Sequence, residues 1–245
     1  MIASSTAEVY AGLGAVACAG LALGATAYAA MWPGSRIFGK ALVAPKRLDE
    51  LALTFDDGPN ATWTPRLLEI LVRNSVRATF FLLGSRAEGE PELVRRIAAA
   101  GHLIGSHSWS HPNMARASAS RVREELERTN ETLQQITGMP VKFFRPPFGA
   151  RRPAVLRIAR ELGLTPVLWN AMTSDWSEPS AERIADQLTK AIEGQRRRGH
   201  AANIVLHDGG HRDPAANREP SVTAAGLLIE RYKATHRFVT VDAWS

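Results

Sequence analysis

The sequence predicts an α/β fold, a distorted (β/α)7-8 barrel preceded by an N-terminal transmembrane helix. From Leu48 onward, short apolar runs alternate with amphipathic helical stretches, the pattern of a largely parallel sheet with helical crossovers. About seven such units in roughly 200 residues suit a closed or nearly closed barrel. An open doubly wound sheet is the runner-up, disfavoured because the chain has neither a GxGxxG turn nor a phosphate-binding P-loop. Val9 to Trp32 carries no charge and is long enough to cross a bilayer as a helix.

In chain order, residues 1–8 form a short tail and 9–32 the expected membrane anchor. Ala27-Tyr28-Ala29 fits a small-x-small cleavage pattern, so a signal peptide is the rival reading of this segment. Trp32-Pro33-Gly34-Ser35 breaks the run, and residues 33–47 read as a basic linker to a domain spanning 48–245. Strands are expected at Leu51–Phe55, Ala78–Leu83, His102–Gly105, Lys142–Arg145, Thr165–Trp169, Asn203–Leu206 and Phe238–Val241. Helices are expected at Thr64–Arg73, with Pro65 in the first turn, then at Glu90–Ala100 and at Ser120–Thr137, stopped by Gly138 and Pro140. Further helices follow at Pro153–Leu162, at Ser180–Glu193 behind a cap-like serine, and at Val222–Lys233.

Composition bounds the function. At 245 residues the chain holds one substantial core, and 45% hydrophobic with 22% charged residues excludes a disordered protein. The net charge is +6, yet Arg196-Arg197-Arg198 is the only tight basic cluster and basic–aromatic interleaving is missing, so no nucleic-acid partner is expected. Cys18 stands alone, which rules out an intramolecular disulfide and a cysteine-rich zinc site.

Polar residues gather where predicted strands end, and in a parallel barrel those ends share the face on which catalytic groups are built. Asp56 and Asp57 follow the first strand. Strand alternation should point them in opposite directions and give them different jobs. His107 and His111 follow the third strand at i and i+4, a spacing that brings both imidazoles to one side of a helical turn. Two histidines and a carboxylate make a common three-ligand set for a catalytic metal, leaving positions for water and substrate. Arg145-Pro146-Pro147-Phe148-Gly149 ends the fourth strand, where the prolines fix an irregular backbone. Asp175-Trp176 follows the fifth strand and Leu206-His207-Asp208 the sixth. A rim histidine with a carboxylate in reach is a natural general acid or base.

These five segments, in this order, resemble the motifs of carbohydrate esterase family 4, the NodB-homology polysaccharide deacetylases, from about Leu48 to Trp244. The resemblance makes 48–245 a catalytic domain that removes acetyl groups from an N-acetylated glycan, peptidoglycan- or chitin-like, usually with zinc. It implies Asp57, His107 and His111 as metal ligands, Asp56 as catalytic base and Arg145 as the ion-pair partner of that base. It further implies His207 as catalytic acid tuned by Asp175. The Phe148 N–H would serve the oxyanion, with Trp176 and Leu206 forming the pocket for the acetyl methyl. Two positions depart from the pattern: Phe148 stands where many members carry Tyr, and Met172 where many carry a second Asp. His102, His200, His211 and His236 lie outside the motifs and are expected to be structural or surface residues, His211 being near enough to the rim to touch substrate.

An O-acetyl esterase acting on xylan and an inactive glycan-binding module are the alternatives. The intact set Asp56, Asp57, His107, His111 and His207 speaks against the second. Arg36, Lys40, Lys46 and Arg47 flank the apolar segment on its C-terminal side, which by the positive-inside rule favours a cytoplasmic domain. Acetylated glycan polymers lie mostly outside the membrane, and on that ground the domain is expected to be extracytoplasmic.

Overall fold

The computed structural model describes residues 24–26 and 28–245. Most of the expected anchor, Val9 to Trp32, lies outside the described residues. Among the described residues no helix is long and apolar enough to cross a membrane.

Among the described residues, seven parallel strands form one sheet: β1 (Glu50–Gly58), β2 (Thr79–Leu82), β3 (Leu103–Ser106), β4 (Phe143–Phe144), β5 (Thr165–Pro166), β6 (Ala202–His207) and β7 (Arg237–Phe238). Their order is β5-β4-β3-β2-β1-β6, with β7 on β1. The helices are α1 (Trp63–Arg73), α2 (Gly84–Gly89), α3 (Pro91–Ala99), α4 (Ala119–Thr137), α5 (Pro153–Glu161), α6 (Ala181–Arg197) and α7 (Glu219–Tyr232). All seven expected strands are present, but β5 ends well short of the expected Trp169. Beyond Pro166 the chain changes partners: Val167 N–H donates to Phe144 and Leu168 N–H to Leu42, then Ala171 bridges to Ile204 of β6. That last bridge brings the two ends of the sheet together, so the barrel-like curl closes on an isolated pairing instead of a full strand. Helix α2 was not foreseen, because a short Gly-flanked turn carries no helical periodicity.

Every residue of β1 is buried, as expected for a central parallel strand covered on both faces. Leu51, Leu53 and Phe55 pack outward against Leu67 and Leu71 of α1, Leu188 and Ile192 of α6, and Leu228 and Ile229 of α7. Each such side chain contributes roughly 1.5–3 kcal/mol by leaving water. Ala52 faces inward with Phe81, Phe143, Val167 and Val241. The expected helices are present, but α6 runs on to Arg197, past the expected Glu193, and α7 begins at Glu219, ahead of the expected Val222. Ser118 and Ser180 cap α4 and α6 by accepting the N–H groups of Arg121 and Arg183, and Gly138 closes α4 at φ 71°.

Residues 33–47 run along the domain: Ala201 N–H donates to Pro45, and Asn203 Nδ2 donates to Val43. The buried Arg151 ties the preceding segment to the β4 loop, donating to the carbonyls of Trp32 (2.7 Å), Ser35 (2.9 Å) and Gly149 (3.1 Å).

Candidate active site

At the end of β1 the pairing register slips between Asp56 and Gly58, and Asp57 takes a left-handed backbone at φ 68°. This corrects the alternation expected for the two carboxylates: the irregularity turns both toward the same group of residues. The Nε2 of His107 is 3.8 Å from Asp56 Oδ2 and 3.4 Å from Asp57 Oδ1. Close approach of β6 is part of this local geometry, since a Cβ on Gly209 would run into the Asp57 carbonyl oxygen.

Asp56 sits atop a buried polar column. Arg145 is fully buried and donates from one guanidinium nitrogen to Asp56 Oδ1 and Thr54 Oγ1, both at 2.7 Å. Its other nitrogen reaches Asn203 Oδ1 at 3.3 Å, and the guanidinium lies 4.2 Å from the centre of the Phe81 ring. Burial pulls the Arg145 pKa down and the Asp56 charge opposes that. An arginine keeps its proton in any protein setting, so it serves as a fixed counter-charge.

The His107–His111 segment is not helical, which corrects the expected helical turn. Ser108 and His111 have φ of 71° and 61°, and it is this kinked loop that sets the two rings 5.0 Å apart. Glu125 of α4, buried and absent from the sequence reading, organises it. Its Oε2 accepts the N–H groups of Trp109 (2.7 Å) and Ser110 (2.8 Å), and its Oε1 accepts the Ser110 hydroxyl (2.6 Å). Helix α2 braces the same loop through Gly84 N–H to Ser108, and a Cβ on Gly84 would come within 2.5 Å of the Trp109 ring. His107 Nδ1 lies 2.8 Å from the Arg145 carbonyl. It must donate there, which turns Nε2 toward Asp57.

Asp57, His107 and His111 thus offer ligand atoms that all lie within 4.8 Å of one another. Asp57 Oδ1 is buried without a hydrogen-bond partner, 3.4 Å and 3.3 Å from the two Nε2 atoms. Burial would raise the Asp57 pKa, but the facing imidazoles of His107 and His211 overcome it and hold the carboxyl well below the ordinary 3.8. Burial, helped by the neighbouring His107, pushes His111 down to about 3. A carboxylate and two imidazoles around an unsatisfied buried oxygen are a donor set that fits a divalent cation of the zinc class.

Across the pocket, His207 ends β6. Asp175 Oδ1 lies 2.9 Å from His207 Nδ1, while Oδ2 accepts the His207 backbone N–H (2.8 Å) and the Ser221 hydroxyl (2.7 Å). Burial alone would lower the imidazole pKa. The Asp175 charge and hydrogen bond, with smaller contributions from Asp57 and Asp56, raise it to about 9. Trp176 meets the His207 ring edge-on at 5.3 Å, and Arg218 holds the adjoining loop through the carbonyls of Gly209 and Trp176.

The open pocket above these groups has a volume of about 550 Å³ and includes Asp56, Asp57, His107, His111 and His207 in its lining. Phe148, Met172 and Trp176 form its exposed apolar rim. Arg145 and Asp175 stand behind the wall, each holding a residue that faces the cavity. Leu206, expected at the acetyl pocket, packs instead in the helix-side core against the sheet. Alternation along β6 sends Leu206 outward and brings Val205 and His207 to the cavity, so Val205 lines the position. His211, expected to be a structural or surface residue near the rim, places its Nδ1 3.2 Å from Asp57 Oδ2. Its place in the rim loop was legible, but its partner was not.

A polysaccharide deacetylase family model matches residues 44–167. A peptidoglycan-N-acetylglucosamine deacetylase of Bacillus cereus is 38% identical over 207 residues, 84% of this chain and 72% of that protein. A chitooligosaccharide deacetylase of Rhizobium leguminosarum bv. trifolii is 36% identical over 168 residues, 67% of this chain and 74% of the relative. Among solved structures, a peptidoglycan N-acetylglucosamine deacetylase bound to 4-naphthalen-1-yl-N-oxidanyl-benzamide superposes with a TM-score of 0.72 at 37% identity. That match covers 83% of this chain and 91% of the other. The chain belongs to the polysaccharide deacetylase family, the NodB-homology enzymes of carbohydrate esterase family 4.

Proposed function

We propose that this enzyme hydrolyses the acetamide of N-acetylglucosamine units in a peptidoglycan- or chitin-like glycan, with a divalent ion, zinc by preference, held by Asp57, His107 and His111. The observation that carries the reading is one pocket in which an unsatisfied Asp57 oxygen between two imidazoles lies across from a protonated His207. A divalent ion in that place supplies Lewis acidity to the acetyl oxygen and acidifies water.

Asp56, held by Arg145 at 2.7 Å, is the base that accepts a proton from the attacking water. The carbonyl carbon becomes tetrahedral, and the Phe148 backbone N–H is the donor assigned to the developing oxyanion. His207, with Nδ1 committed to Asp175, donates from Nε2 to the departing amine. Water adds across the amide bond, leaving acetate and the free amino sugar. The apolar rim of Phe148, Met172 and Trp176 and the Val205 wall receive the sugar and its acetyl methyl. Residues 48–245 form the catalytic domain, 33–47 connect it to an anchor at 9–32, and the domain works on the extracytoplasmic side, where such polymers lie.

Acetate release from peptidoglycan, chitooligosaccharides and acetylated xylan tests the reading. Release from the first or second is expected, abolished by chelation and restored by zinc. Release from xylan alone, or full turnover by protein shown to be metal-free, would overturn it.

A further inference from the structure

His211 lies in the loop after β6, outside every motif that identifies the family. Its Nδ1 is 3.2 Å from Asp57 Oδ2, and its ring stacks on His111 with 4.0 Å between centroids and 16° between planes. Phe148 closes over both rings edge-on, at 4.5 Å from His111 and 5.6 Å from His211. The loop is fixed from behind, because Arg218 Nε donates to the Gly209 carbonyl at 2.6 Å.

This divides the two oxygens of Asp57. Oδ1 faces the Nε2 atoms of His107 and His111 and has no donor, whereas Oδ2 faces His211. A carboxylate with both oxygens free can turn about its last bond and present either one, or both. A donor on one oxygen removes that freedom and leaves the other to bind. Groups that orient metal ligands in this way commonly contribute 10–100-fold to metal affinity.

We infer that His211 is a positioning residue of the metal centre, whose Nδ1–H holds Asp57 Oδ2 so that Oδ1 alone is presented toward His107 and His111. The inference rests on the proposed metal-binding role of those three residues. The stack on His111 is the accompanying contact, and two substitutions separate it from the hydrogen bond. His211→Phe keeps a flat ring over His111 but has no donor. His211→Asn loses the ring but places an amide N–H near the position of Nδ1.

The test is Co²⁺ binding by the full chain, purified in detergent and titrated against a chromophoric chelator, with the visible cobalt spectrum recorded in parallel. His211→Phe is expected to weaken Co²⁺ binding roughly 10–100-fold and to alter the spectrum. His211→Asn is expected to recover most of the affinity, with thermal melting confirming that both variants are folded. Parent-like binding by His211→Phe, or equal weakening in both variants, overturns the role assigned to the hydrogen bond. If the parent binds no Co²⁺ and His107→Ala changes nothing, the metal assignment itself fails and this inference fails with it. Weakened binding by His107→Ala with unchanged binding by His211→Phe isolates the failure to His211.

Discussion

The two sides of the pocket are built from the same residue types, yet His111 on one side and His207 on the other are shifted in opposite directions. On one side, three imidazoles (His107, His111 and His211) converge on the single carboxylate of Asp57, and His111 is pushed down to about 3. On the other, His207 has Asp175 to itself and rises to about 9. Burial lowers both histidines, so burial does not distinguish them. The difference is the ratio of carboxylates to imidazoles. Several imidazoles sharing one carboxylate leave His111 without a counter-charge of its own, and its ring stays neutral with a lone pair available for a metal. A dedicated carboxylate, itself fixed by Ser221 and a backbone N–H, keeps its imidazole charged and able to donate a proton.

The harshest way to break the comparison is to remove a ring from the shared side. His111→Ala deletes one of the two imidazoles proposed as ligands and should abolish both stoichiometric zinc and turnover, while the fold, judged by circular dichroism, survives. Metal analysis of the purified variant checks it. Retained zinc with lost turnover would move His111 out of the ligand set and into the proton chemistry.

The next effect comes from removing the dedicated carboxylate. Asp175→Asn strips the charge that holds His207 up, so its pKa should fall from about 9 toward the ordinary 6.5. An acid works only while protonated, so the rate falls as pH rises through that pKa. The alkaline limb of the parent should therefore lie at or somewhat below 9, because a bound cation offsets the help from Asp56 and Asp57. In the variant the limb moves to lower pH, and turnover near pH 8 drops by up to about 30-fold, as the protonated share of His207 falls with its pKa. A pH–rate profile with an unmoved alkaline limb would mean that some other group supplies the proton.

The contrast also explains what could be read in advance. The strand and helix order was legible from alternating apolar runs, and the site residues from their positions just after strands. What failed was direction. Asp57, Ser108, His111 and Phe148 all adopt positive φ, a backbone state that spacing rules for strands and helices do not encode. So the alternation expected at Asp56–Asp57 and the helical turn expected at His107–His111 both gave way to irregular loops. Leu206 failed for the reverse reason: β6 is regular there, and strict alternation carried the side chain away from the pocket. The role of Glu125 and the partner of His211 were not legible because each side chain acts across the fold on residues distant in sequence.

Glu125 supplies the mildest test, since it should disturb one side of the pocket only. Its carboxylate accepts two backbone N–H groups and a hydroxyl from the loop that carries His107 and His111, and pairs with Arg121 at 2.6 Å. Glu125→Ala leaves the Trp109 and Ser110 donors without their partner, at a cost of about 1–3 kcal/mol. Glu125→Gln keeps an oxygen for the backbone donors but turns an amide N–H toward the Arg121 guanidinium, so it should fall between parent and alanine. Because the loop is kinked at two non-glycine positions, the lost energy should appear there first. Zinc affinity should fall in the order parent, Gln, Ala. His207 is held by Asp175 and Ser221, with no contact to Glu125, so the alkaline limb of the pH–rate profile should stay where it is. Zinc titration and the pH profile, measured on the same variants, check both halves. A limb that shifts together with the zinc affinity would show that the two sides are coupled through the sheet and do not act as separate devices.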